Sequence, residues 1–330
     1  MFPEIPEALI NAVLRCKRAV VCGHHNPDGD CLYSTLAMGV LLEKLGKDCV
    51  LVNDGPFTAP EIADYAEKIS SSIPRSFTEP DTLGIMLDCS TWDRIESFKD
   101  IFRTFRDVVV IDHHANGGKT GNLQYVVPSS PATTLLVYKL YRRMNVDVTP
   151  DAAKYIFRGF ATDSGFFSFL YADSAPVFDI VSDLVKHGVE PYAEYNYLMC
   201  GKTYETIRYL AALIERTETY YNGRLAVSFE KPEDSNLFGQ NTRASDEYYR
   251  QMLSIRETEA VILFKISKKR EHAWELGLRS SYSSNIDMGA FATEFGGGGH
   301  KKAAGATLDG SYTEIRKKVL DAFGKFTETC

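Results

Sequence analysis

Histidine and aspartate crowd together at a few points of this chain. The densest is His24-His25-Asn26-Pro27-Asp28-Gly29-Asp30, followed by Asp88 and then by Asp112-His113-His114. These points hold four of the seven histidines. Asp163, within GFATDSGFF, adds a further carboxylate. Oxygen and imidazole donors without thiolate suit a borderline-to-hard divalent ion such as Mn²⁺, Co²⁺ or Mg²⁺. Several carboxylates converging on one place repel one another unless cations sit among them, which points to two ions rather than one. Taken singly, each residue has a plainer use: an Asp as a helix N-cap or turn residue, a His on the surface or in the core. Their joint placement is what singles them out.

That placement is set by the elements before them. RAVVCG (18–23), TLGIMLDC (82–89) and DVVVIDHH (107–114) are short apolar runs that read as buried strands, and each runs straight into one of the clusters. CVLVND (49–54) is a fourth such run, and helical patterns lie at 32–45, 93–105, 130–144, 151–163 and 174–187. The β-α-β alternation predicts an α/β fold with a parallel, doubly wound sheet, whose ligands bind beyond the carboxyl ends of the strands. HGVEPYAEYN (187–196) mixes Gly, Pro and polar residues and marks a boundary. The expected organisation is a first domain over 1–187, a linker over 188–202 and a smaller α/β domain over 203–330. The second domain begins with a helix at 203–216 and has a hairpin turn at Asn222-Gly223. Alternating strands at 260–267 and 273–281, a helix at 286–295 and a terminal helix at 312–326 complete it.

Composition narrows the function. The chain has 330 residues, with 37 Lys+Arg against 44 Asp+Glu and a formal net charge of −7. That length suits two domains. The acidic balance argues against wrapping long DNA or RNA, which needs a basic face. No apolar run reaches a membrane span, and the start, MFPEIPEALINAVLRC, lacks the basic end and apolar core of a signal peptide, so a cytoplasmic protein is expected. The seven cysteines, Cys16, Cys22, Cys31, Cys49, Cys89, Cys200 and Cys330, are scattered with no C-x-x-C pair. They argue against a disulfide framework or a thiolate zinc site and read as buried or half-buried thiols.

The run Gly296–Gly299 precedes His300. Successive glycines let backbone N–H groups approach an anion. Upstream, Arg279 could hold a phosphate by two parallel hydrogen bonds, with Ser280 beside it. A flexible loop and a surface ion pair are the plainer readings of these residues, and Lys301 and Lys302 read as solvated.

In these motifs the chain resembles the DHH phosphoesterase superfamily. The H-x-x-P-D-G-D motif is matched by His24 to Asp30, the strand-end Asp by Asp88, the name-giving triplet by Asp112-His113-His114, and the later Asp by Asp163. The G-G-G-H-x-x-A-A-G signature of the DHH-associated domain is matched by Gly297 to Gly305. The resemblance implies one metal held by His24, Asp28 and Asp88, and a second by Asp30, Asp88, His113 and Asp163. It further implies His114 aimed at the substrate phosphate and Asp112 orienting its neighbouring histidine. Gly297, Gly298, Gly299, His300, Arg279 and Ser280 would bind substrate, with the active site in the cleft between the domains. The cofactors expected are two divalent ions, Mn²⁺ first and Mg²⁺ or Co²⁺ as alternatives. Such a pair, about 3.5–4 Å apart, activates water and clamps phosphoryl oxygens.

The arrangement is similar to the bacterial oligoribonuclease/pAp phosphatase (nanoRNase) type. It implies hydrolysis of di- to few-nucleotide RNA to mononucleotides, or of 3′-phosphoadenosine 5′-phosphate (pAp) to AMP. Cyclic di-AMP or linear dinucleotides, pyrophosphate or polyphosphate, and a silent nucleotide sensor stay open as alternatives. The partners implied are short RNA or nucleotide substrates, with no long nucleic acid and no membrane, and a homodimer is left open.

Overall fold

A computed structural model describes the chain apart from residues 1, 58, 116, 117, 119, 240, 241, 243, 269, 329 and 330, so Cys330 lies outside the described residues. The chain divides into two compact units, Met1–Gly201 and Lys202–Cys330.

The first unit is built on β1 (Arg18–Gly23), β2 (Asp48–Val52), β3 (Leu83–Leu87), β4 (Val108–Asp112) and β5 (Leu123–Val126). They form one wholly parallel sheet in the order β2-β1-β3-β4-β5. β3 and β4 are buried along their whole length. A parallel sheet needs cover on both faces, and the strand period of two supplies it. Ala19, Val21, Ile85, Leu87, Val109 and Ile111 face one core, shared with helices Gly29–Lys44, Thr133–Arg143 and Pro150–Asp163. Val20, Cys22, Met86, Val108 and Val110 face the other, closed by Phe98, Phe102 and Phe105. The sheet order reverses direction between β1 and β3, and a crevice opens at the carboxyl ends of strands where it does so.

Two expectations are corrected here. Residues 93–105 form a 3₁₀ turn, Trp92–Ile95, and a single helical turn, Lys99–Phe102, because the phenylalanines there serve the sheet face. The expected 188–202 linker is largely a helix, Pro191–Met199, and belongs to the first unit. Its Glu194 pairs with the buried Arg158 at 2.5 Å, and the Tyr197 ring lies 3.8 Å from that guanidinium. A buried Arg must find a counter-charge, and this helix brings it.

The second unit carries β6 (Glu218–Tyr220), β7 (Leu225–Phe229), β8 (Ala260–Ile266), β9 (Ala273–Ser280), β10 (Gly298–His300) and β11 (Ala303–Asp309). Their order is β10-β11-β9-β8-β7-β6, mixed, with only β7–β8 parallel. The expected turn at Asn222-Gly223 joins β6 to β7, both residues at positive φ. One face packs Leu225, Ile262, Leu276 and Leu278 under helices Met288–Thr293 and Tyr312–Glu328. The other packs Ala226, Val261 and Leu263 against Tyr209, Tyr248 and Tyr249. Among the described residues no helix is long and apolar enough to cross a membrane.

Candidate metal centre and phosphate site

β1, β3 and β4 deliver their next residues to the same crevice. His24 follows β1, Asp88 follows β3, and His113 and His114 follow β4. Asp88 sits at φ +60°, a strained conformation for a non-glycine residue and typical of positions that carry function. Asp28 caps helix Gly29–Lys44 by accepting from the Cys31 N–H, which places Asp30 inside the first helical turn. Asp163 ends helix Pro150–Asp163, which packs against that helix.

The donors fall into two sets that share Asp88. His24 Nε2 lies 3.4 Å from Asp88 Oδ2 and 3.8 Å from Asp28 Oδ2. His113 Nε2 lies 3.5 Å from Asp88 Oδ1, 3.2 Å from Asp163 Oδ2 and 4.0 Å from Asp30 Oδ2. Asp88 thus turns one oxygen to each set. The remaining ring nitrogens are occupied from behind: His24 Nδ1 pairs with the His25 carbonyl (3.0 Å) and His113 Nδ1 with the Ser130 carbonyl (3.2 Å). Such backing fixes a ring and directs its other nitrogen at a cation. The donor chemistry therefore fits two divalent ions.

Electrostatics tell the same story. Burial, then Asp88 and Asp163, push the Asp30 carboxyl well up from its ordinary range. Burial, Asp88 and Asp28 push Asp163 up to about 8. Carboxylates gathered this tightly resist ionisation until cations join them. Asp30 is partly relieved by the N-terminus of helix Thr133–Arg143, where it accepts from Thr133 N (2.5 Å), Thr134 N (3.0 Å) and Thr134 Oγ1 (2.8 Å). Thr133 Oγ1 donates to Asp88 Oδ1 (2.9 Å).

His114 lies beside the shared carboxylate, its Nδ1 3.7 Å from Asp88 Oδ1, and makes a further candidate donor group with Asp88 and His113. Its Nδ1 pairs with Asp112 Oδ1 at 2.8 Å, leaving Nε2 as its outward nitrogen on a half-exposed ring. That partner, against the opposing effect of burial, raises the imidazole to about 9. Burial disfavours the charge on Asp112, but hydrogen bonds from His114 and Ser90 outweigh it and hold the carboxyl below its usual range. The Ser90 hydroxyl donates to Asp112 Oδ2 at 2.7 Å. Ser90, Thr133 and Thr134, and Ser130 with its carbonyl, were not singled out from sequence, where nothing distinguishes them from any other loop or helix-start residue.

In the second unit, register brings the other predicted residues into line. His300 pairs with Ala303, and Ala303 with Arg279, so the three form one row across β10, β11 and β9. The next row on the same face is Gly298, Gly305 and Gly277. Directly opposed residues share a face, so these glycines lie on the face of His300 and Arg279, Gly298 open and Gly277 buried under the Tyr249 hydroxyl. Arg279 stacks on Tyr249, 4.7 Å from its ring, with a loose ion pair to the exposed Asp246 at 3.9 Å. The glycines are not equivalent. A Cβ on Gly297 would lie 2.2 Å from the Gly305 carbonyl oxygen, and one on Gly299 2.6 Å from that of Ala303, so both are needed for packing. Gly298 faces open space. Ser280 departs from expectation: it lies one residue beyond Arg279 on the interior face, buried, and donates to the Ile286 carbonyl at 3.0 Å. The half-buried Lys302 ammonium is tied to the Ser281 and Ser284 carbonyls rather than solvated.

Both units match domains of a phosphoesterase family. Residues 18–160 match the DHH family, N-terminal domain, and residues 226–328 match the DHHA1 domain. The chain belongs to the DHH phosphoesterase family. Among its relatives is a Thermus thermophilus protein named bifunctional oligoribonuclease and PAP phosphatase NrnA, 28% identical over 312 residues, 92% of this chain and 88% of that one. The crystal structure of an exopolyphosphatase-related protein from Bacteroides fragilis matches with TM-score 0.86 at 21% identity, over 100% of this chain and 98% of that one. The exonuclease RecJ bound to manganese matches with TM-score 0.56 at 16% identity, over 97% and 95%.

Proposed function

We propose that this protein is a two-cation phosphoesterase that hydrolyses very short oligoribonucleotides to mononucleotides and pAp to AMP. The observation that carries the chemistry is the two-sided Asp88, facing His24 with one oxygen and His113 with the other. On this reading His24, Asp28 and Asp88 hold one cation, and Asp30, Asp88, His113 and Asp163 hold the other. Divalent cations bound there supply Lewis acidity to the phosphoryl oxygens and acidify a water.

The protein's own groups do the rest. His114, whose imidazole Asp112 raises above its ordinary range, presents its Nε2 to a phosphoryl or leaving oxygen. Asp112 keeps that ring oriented, and Ser90 keeps Asp112 in place. In the second unit, Arg279 and the unobstructed backbone at Gly298 bind nucleotide phosphate, with His300 at the end of the row. Binding energy from such a remote group serves to position the scissile bond. The substrate class is supported by the likeness to the oligoribonuclease and PAP phosphatase, which extends through both units.

The test is a rate comparison with Mn²⁺ on a 5′-phosphorylated dinucleotide, pAp, cyclic di-AMP and pyrophosphate. Fastest release of mononucleotide from the dinucleotide, with AMP from pAp, is expected. Preference for cyclic di-AMP or pyrophosphate would replace the substrate assignment. Binding without turnover of any of the four would reduce the protein to a sensor.

A further inference from the structure

Behind the first donor set lies a sulfur. Cys31 is wholly buried in the first turn of helix Gly29–Lys44. Its sulfur, a His24 ring nitrogen and an Asp88 oxygen all lie within 4.8 Å of one another. Its backbone N–H donates to Asp28 Oδ1 at 3.0 Å, leaving Asp28 Oδ2 as the oxygen 3.8 Å from His24 Nε2. One residue thus orients a neighbouring ligand with its backbone and adds a donor with its side chain.

The space for the sulfur comes from the last residue of β1. A Cβ on Gly23 would lie 2.3 Å from Cys31 Sγ. The thiol's polar contacts are with His24, its carbonyl at 3.7 Å and its imidazole. Cys22 and Cys89 are also buried, but among the described residues neither joins a group of metal-capable donors. The second set, Asp30, His113 and Asp163, contains no sulfur.

We propose that Cys31 is an additional ligand of the first cation position and makes it prefer a thiophilic divalent ion of the Zn²⁺ class, while the oxygen-rich second position takes Mn²⁺ or Mg²⁺. The proposal rests on the two-cation reading above. Thiolate selects softer ions and carboxylate harder ones. Donors around a tetrahedral N/S-ligated ion stand roughly 3.5 Å apart, so closing this group takes about an ångström of side-chain movement. On binding, the S–H bond breaks, the proton passes to solvent and the sulfur electron pair goes to the cation; no oxidant or reductant takes part. The scattered cysteines hid this donor because its partners are a strand-end His and Asp rather than a second cysteine.

The experiment is a Co²⁺ titration of the chelator-stripped full-length protein, followed by absorbance. An ultraviolet sulfur-to-cobalt charge-transfer band is expected to saturate at the first equivalent, with visible ligand-field bands alongside. Cys31→Ser and Cys31→Ala should lose the ultraviolet band and keep visible bands, while Cys22→Ser and Cys89→Ser keep both. Competition with Zn²⁺ should show the first-equivalent affinity of Cys31→Ser falling about 10- to 100-fold, with Mn²⁺ affinity changed less. Visible bands without the ultraviolet band in the unaltered protein, or an ultraviolet band that survives in both Cys31 variants, would overturn the role of Cys31. No cobalt band of either kind would overturn the two-cation reading itself.

Discussion

In the first unit, Asp28, Asp30, Asp88 and Asp163 are drawn together around His24 and His113, and helix Thr133–Arg143 spends backbone and hydroxyl donors on holding two of them. In the second, the predicted phosphate site is lined mainly by small residues: Gly298 faces open space and Ala303 lies between His300 and Arg279, while Gly277 at the end of the glycine row is covered by Tyr249. The first arrangement stores repulsion that bound cations relieve. The second stores none, because a single guanidinium stacked on Tyr249 stands among small residues with no like charge gathered beside it. A site that does chemistry must be specific about charge, whereas one that grips need only be uncluttered.

Removing Asp88 should widen the contrast most. Asp88→Ala takes a donor from both cation positions and should lower kcat by at least about 10³-fold, at or beyond the loss of one preorganised charge-stabilising group. Near-normal turnover would break the shared-ligand model. Asp112→Asn leaves both donor sets intact and should cost roughly 10- to 100-fold, as is usual for an orienting partner. Its signature is the pH–rate profile, in which the limb assigned to His114 moves to lower pH, because the partner that raises this imidazole has lost its charge. A uniform fall with an unshifted limb would assign Asp112 to packing alone.

Arg279→Ala should act mainly on KM, raising it about 10-fold with kcat nearly unchanged, the value of one charge-assisted hydrogen bond removed from binding. A kcat loss at constant KM would move Arg279 into the chemistry.

The smallest effect is on stability. Asp163 and Asp30 have folded-state values raised above those of the unfolded chain. Their contribution to metal-free stability is therefore full below the ordinary carboxylate range and is lost as pH rises toward about 8. The Tm of chelated protein should fall between pH 5 and pH 8.5, and Asp163→Asn should flatten that slope. A slope indifferent to Asp163→Asn would mean that the repulsion is relieved some other way.

Much of this was legible in the chain. Strand-end positions of His and Asp can be read because a buried parallel strand is an apolar run that stops abruptly. The hydroxyls of Ser90, Thr133 and Thr134 could not be read, since their value comes from sequentially distant carboxylates that the fold brings to them. Helix Pro191–Met199 was hidden for a similar reason. Its Gly188 and Pro191 flank resembles a linker, and the partner that recruits it, Arg158, lies on another helix. The glycine run was found for its composition, but only strand register separates Gly298, which faces open space, from Gly297 and Gly299, which pack.

The candidate ligands also emerge along the chain in a fixed order. The second donor set draws on residues 30, 88, 113 and 163, and helix Pro150–Asp163 must pack on helix Gly29–Lys44 before its last carboxylate arrives. During synthesis, the first set is complete in sequence once Asp88 has emerged, while the second waits for some seventy further residues. A cation captured early by His24, Asp28 and Asp88 would tie β1 to β3 across a long loop, a closure whose entropic cost grows only slowly with length. The metal captured first could then act as a template on which the second position forms.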